Sequence, residues 1–124
     1  MKKERTYFAD SSYLIDLTRE KSEALDIQED NSIITGLIGV YELGKLSDLT
    51  VEQIRAGNQV ETVNSKDIQK AVNIYRELKA KGEMINQLNI LIAAQSINRD
   101  MTLLTTDEDF EKIEGLKTRY YRDE

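Results

Sequence analysis

Short apolar runs alternate with stretches of helical periodicity along this chain, and that alternation limits the folds open to it. Thr6-Tyr7-Phe8-Ala9 suits a buried strand, ending at Asp10-Ser11-Ser12, where a hydroxyl or carboxylate can cap a helix from Ser12 to about Arg19. The polar stretch 20–30 has room for a short helix, and Ser32-Ile33-Ile34-Thr35 reads as the next strand. Leu37, Val40, Tyr41 and Gly44 suit one face of a helix running to about Leu46, which Gly36 and Gly39 weaken. Thr50 with Gln53 has the pattern of a capping box for a short helix to Ala56, and Gln59 to Val63 alternates as a strand. A long helix from Ser65 carries an apolar stripe of Ile68, Ala71, Val72, Tyr75 and Leu78 and stops near Gly82. Asn86 caps another helix to about Asn98. Met101 to Leu104, Asp107 to Ile113 and Lys117 to Tyr121 then read as strand, short helix and strand. The order β-α-β-α-α-β-α-α-β-α-β predicts one α/β domain over residues 1–124, with a mostly parallel central sheet of about four to five strands and helices on both faces.

Composition restricts the chemistry. The 124 residues include no cysteine and no histidine, which excludes disulfides, thiolate nucleophiles, Cys-based zinc sites and the usual general base. Catalysis would have to rest on Asp, Glu, Lys, Tyr, Ser or Thr, and a bound metal would be a hard cation such as Mg²⁺ or Mn²⁺. The net charge of −6 disfavours non-specific binding to phosphate backbones, so a nucleic-acid enzyme of this charge needs local basic patches, bound metal or a second subunit. No apolar run approaches a membrane span. The start, Met1-Lys2-Lys3-Glu4-Arg5, lacks the apolar core of a signal peptide, so a cytoplasmic location is expected.

Ligands of an open parallel sheet bind beyond the carboxyl ends of the strands. Asp10 follows the first strand; Thr105 and Asp107 follow the strand ending at Leu104; Glu42 lies on the helix after the second strand; Asn89 lies near a helix start, where the dipole favours an anion. Acids gathered at such a rim repel one another unless a cation neutralises them, which makes a metal site the functional reading. The plainer reading keeps Asp10 as a cap, Asp107 and Asp109 as acids favoured at a helix start, and Glu42 as a solvated residue. Arg76, Lys79 and Lys81, and Lys117, Arg119 and Arg122, are either phosphate contacts or solvated faces. Tyr75, Tyr120 and Tyr121 are either base-stacking rings or core. The helices carrying Leu14, Leu17 and Leu78 offer a weak dimer face.

Four segments together resemble the PIN-domain family in its VapC-like toxin branch: Phe8-Ala9-Asp10-Ser11-Ser12-Tyr13-Leu14-Ile15-Asp16-Leu17, Tyr41-Glu42-Leu43-Gly44-Lys45-Leu46, Asn89-Ile90-Leu91-Ile92-Ala93-Ala94, and Leu103-Leu104-Thr105-Thr106-Asp107-Glu108-Asp109-Phe110. The resemblance spans nearly the whole chain. It implies a PIN-like three-layer sandwich and Mg²⁺- or Mn²⁺-dependent cleavage of RNA, with Asp10, Glu42 and Asp107 holding the metal. Ser12 and Thr105 would support them, and Asp109 would partner or replace Asp107. It also implies a homodimer neutralised by a small cognate antitoxin. One position departs: the family's aspartate is Asn89 here, which keeps an acceptor oxygen, removes a charge and adds an NH₂. That leaves an inactivated variant, a degenerate natural member kept for binding, or a site in which the remaining acids suffice. Two rivals stand beside this reading: a non-catalytic module binding RNA or protein, and a signalling receiver domain, which fits less well because one acid, not a pair, follows the first strand.

Overall fold

The computed structural model describes residues 5–122. The basic start at Met1–Glu4, read above as no signal peptide, lies outside them. Five strands form one sheet: β1 (Thr6–Ala9), β2 (Ser32–Gly36), β3 (Gln59–Glu61), β4 (Thr102–Thr105) and β5 (Lys117–Tyr120). Every pairing is parallel and the order is β3-β2-β1-β4-β5. A receiver domain has the other doubly wound order, 2-1-3-4-5, so that rival fails on topology. No helix among the described residues is long and apolar enough to cross a membrane.

The helices sort by the alternation of the strands. Tyr7, Ala9 and Leu104 point to one face, covered by α1 (Ser11–Thr18), α2 (Ser22–Asp30), α3 (Leu37–Leu46) and α4 (Val51–Ala56) through Tyr13, Leu14, Ala24, Ile27, Val40, Leu43 and Ile54. Phe8, Ile34 and Leu103 point to the other, covered by α5 (Ser65–Lys81) and α6 (Gln87–Asn98) through Ala71, Ile74, Leu78, Ile90 and Ala94. A residue shift of one along any strand would exchange these two cores.

Local chemistry fixes the boundaries. The Thr50–Gln53 capping box is formed, Asn86 accepts from the Leu88 amide at 2.8 Å, and Gly82 closes α5 at φ 69°. The cap of α5 is Asn64, in a reciprocal box with Asp67, one residue before the predicted start. The segment after Asp107 is a 3-10 turn over Glu108–Lys112. The stripe of α5 is corrected: Ile68 is 48% exposed, and the inward face is Asp67, Ala71, Ile74 and Leu78. Leu14 and Leu78 are buried in the cores, so neither side chain can serve a dimer face.

Candidate metal centre

The strand order reverses between β1 and β4, and in an open parallel sheet the carboxyl ends of the strands at such a reversal are where ligands bind. Asp10 leaves β1 there, its amide still donating to the Leu104 carbonyl at 3.0 Å. It is the N-cap of α1, and its Oδ1 accepts from the Ser11 amide at 2.7 Å. Its Oδ2 accepts from the Thr105 hydroxyl at 2.7 Å and the Ser12 hydroxyl at 3.2 Å. Each hydroxyl is used twice: Thr105 Oγ1 accepts from the Asp107 amide at 3.0 Å, and Ser12 Oγ from the Thr106 amide at 3.2 Å. The loop after β4 is thereby pinned to the loop after β1.

Glu42 joins through a residue the sequence reading treated only as part of a cap. The Ser11 hydroxyl stands between two carboxylates, 3.2 Å from Glu42 Oε1 and 3.4 Å from Asp10 Oδ1. At the other end, Asn89 Nδ2 donates to Asp107 Oδ2 at 3.0 Å. With the amide turned the other way, two oxygens would face each other, so this orientation is the attractive one. Glu42, Ser11, Asp10, Thr105, Asp107 and Asn89 form one continuous chain of contacts.

Electrostatics tie the three acids together. Burial pushes the Asp10 carboxyl above its ordinary value; hydrogen bonds from Thr105, Ser11 and Ser12 oppose this, and the charge of Asp107 adds to it. Burial and then the charge of Asp10 push Glu42 up, with Asp107 adding and Ser11 and Lys45 opposing. Mutually repelling, oxygen-only carboxylates fit a hard divalent cation, which would relieve the repulsion. As the side chains stand, no three acids among the described residues already form a liganding set. The amide of Asn89 gives Asp107 a neutral hydrogen-bond donor.

Several expected contributors are elsewhere. Asp109 supports Asp107 by its backbone amide, donating to Oδ1 at 2.9 Å, while its carboxylate is half in solvent, 3.5 Å from Lys112. Its carboxylate stands outside the chain of contacts that links Glu42 to Asn89. Of the second basic set, Lys117 pairs with Asp100 at 2.7 Å, Arg122 with the buried Asp16 at 3.1 Å, and Arg119 donates to Tyr7 at 2.8 Å. Lys81 stands 3.9 Å from Glu114, whereas Arg76 and Lys79 flank an apolar groove of about 450 Å³ between α5 and α6. Tyr75 packs against a core, Tyr120 is half-buried, and Tyr121 is buried with its hydroxyl on Asp16.

The same arrangement of helices and strands occurs in solved toxin–antitoxin structures. A chain of DNA-bound VapBC from Salmonella typhimurium superposes with a TM-score of 0.83 at 15% identity, covering 96% of this chain and 100% of that one. A chain of VapBC-1 from nontypeable Haemophilus influenzae gives 0.76 at 21% identity, covering 94% and 98%. A chain of VapBC-5, a member of the VapBC family of toxin–antitoxin systems from Mycobacterium tuberculosis, gives 0.67 at 20% identity, covering 92% and 95%. The chain has a PIN-like fold. No family model matches it, and no curated protein matches it in sequence. In this PIN-like frame, Asp10, Thr105 and Asp107 converge at the carboxyl ends of β1 and β4.

Proposed function

We propose that the chain is a toxin-type PIN endoribonuclease whose metal site is weakened by Asn89. The observation that carries this reading is the linkage of Asp10, Glu42 and Asp107 at one rim through the Ser11 and Thr105 hydroxyls. Asp10, Glu42 and Asp107 would hold Mg²⁺ or Mn²⁺. When bound, such an ion polarises a phosphodiester and lowers the pKa of an attacking water. The chain's own hydroxyls orient the acids: Thr105 and Ser12 fix Asp10, and Ser11 fixes Glu42. Asn89 contributes an amide where a fourth charge would strengthen cation binding, so its hydrogen bond to Asp107 lowers the demand for metal.

The likeness to VapBC chains supports a small cognate antitoxin as partner. RNA as the substrate, a homodimer as the working assembly and the cytoplasm as the place of action are part of the same proposal and rest on the resemblance of the four sequence segments. The test is RNA cleavage in Mg²⁺ or Mn²⁺ by the chain, by Asn89→Asp, and by Asn89→Asp combined with Asp10→Ala. Cleavage by Asn89→Asp that Asp10→Ala abolishes supports the reading. Metal-independent RNA binding, with no cleavage by any of the three, favours the non-catalytic module instead.

A further inference from the structure

Of the eight Tyr and Phe side chains, seven are buried or half-buried, and Tyr41 alone is exposed, at 55%. It immediately precedes Glu42 on α3. The Lys45 ammonium lies 5.1 Å from the centre of its ring. At about 100° per residue, Lys45 falls about 40° and Glu42 about 100° from Tyr41, on the side of α3 opposite the buried Gly39, Val40 and Leu43. Lys45 therefore stands between the aromatic ring and the acid, close enough to oppose the rise in the Glu42 pKa. An exposed ring, a cation and a carboxylate of the candidate metal centre share one patch.

We infer that Tyr41 and Lys45 form a nucleotide subsite: the ring stacks on a base of single-stranded RNA, and Lys45 pairs with a phosphate next to the one presented to the acids. This rests on the ribonuclease reading. Stacking suits the chain's charge. A protein of net charge −6 gains little from a general electrostatic attraction to RNA, so an aromatic platform with one local cation supplies affinity where the chemistry would occur. Base faces stack without regard to identity, while one cation fixes the strand's position, so this subsite aligns RNA more than it selects sequence.

The test measures affinity for a fluorescent single-stranded oligoribonucleotide in Mn²⁺, checked intact afterwards, for the full chain, Tyr41→Ala, Tyr41→Phe and Lys45→Met. An abasic nucleotide is placed at each position in turn. Tyr41→Ala is expected to weaken binding roughly tenfold or more and Tyr41→Phe to preserve it. One abasic position should penalise the native chain but not Tyr41→Ala, the signature of a direct contact. Lys45→Met should reduce the slope of log affinity against log salt by about 0.7, one single-strand phosphate. Unchanged affinity and an unchanged abasic profile in Tyr41→Ala overturn the subsite while leaving the ribonuclease reading standing. So does a change in oligomeric state at unchanged RNA affinity, which would make Tyr41 an interface between copies. If neither the native chain nor Asn89→Asp binds RNA while both bind Mn²⁺, the RNA reading falls and the subsite with it.

Discussion

The Thr105 hydroxyl donates to Asp10 Oδ2 at 2.7 Å, joining the ends of two adjacent strands from residues 95 positions apart. The same oxygen accepts from the Asp107 amide, so one hydroxyl holds both acids in register. Thr105 is fully buried, and its removal leaves a carboxylate and an amide short of a partner. Thr105→Val should destabilise the chain by about 2–4 kcal/mol, the cost of one buried and one half-buried bond left unmet, whereas Thr105→Ser should recover most of it. Urea unfolding of both variants measures the difference.

Two glycines on α3 predict opposite signs. A Cβ on Gly39 would lie 2.6 Å from Thr35 Oγ1, a buried hydroxyl already donating to the Ala9 carbonyl at 3.1 Å. Gly39→Ala should therefore cost about 1–3 kcal/mol despite alanine's better helix propensity. At Gly44 the nearest atom to an added Cβ is Ile54 Cδ1 at 3.9 Å, ordinary contact, so Gly44→Ala should gain about 0.5–1 kcal/mol. Thermal midpoints moving in the same direction would count against this account of α3.

Away from the rim, Arg99 grips the fully buried Asp67 with Nη1 and Nη2 at 3.0 and 3.1 Å, while Asn98 and the Asn64 amide donate at 3.0 Å each. Burial alone would raise the Asp67 pKa, but these hydrogen bonds and the Arg99 charge together hold it below the ordinary 3.8. The folded pKa lies below the unfolded one, so Asp67 contributes its full stabilisation above the unfolded value. That stabilisation is lost as pH falls below 3.8 and through the depressed folded value. Asp67→Asn should cost about 3 kcal/mol at neutral pH and flatten the acid limb of the stability curve. A limb of unchanged steepness would assign acid unfolding to other carboxylates.

Features set by a few neighbouring residues were readable in the sequence. The Thr50–Gln53 box, the Asn86 cap and the stop at Gly82 each depend on contacts within one helical turn. The acids Asp10 and Asp107 were readable because a parallel sheet delivers its ligand-binding loops to one edge. The strand order was not readable, since it is decided by which faces pack together. Nor was the task of Ser11, whose link to Glu42 crosses 31 positions. Ile68 fell in the periodic stripe of α5 but is turned to solvent, because the buried face centres on Asp67, Ala71, Ile74 and Leu78 and leaves Ile68 about 100° to one side. Asp109 matched a motif, yet its backbone amide does the work at Asp107.

On the proposed reading, Asp10, Glu42 and Asp107 form one cation site in which Asn89 replaces charge with an amide bond to Asp107. Mn²⁺ titration, followed by the loss of the free-ion paramagnetic resonance signal, tests it most directly. Asn89→Asp should bind Mn²⁺ at least about tenfold more tightly than the native chain, because ligand charge count tunes hard-cation affinity. Adding Asp10→Ala should abolish that gain. Affinity that does not rise with Asn89→Asp, or that rises and survives Asp10→Ala, would contradict the account.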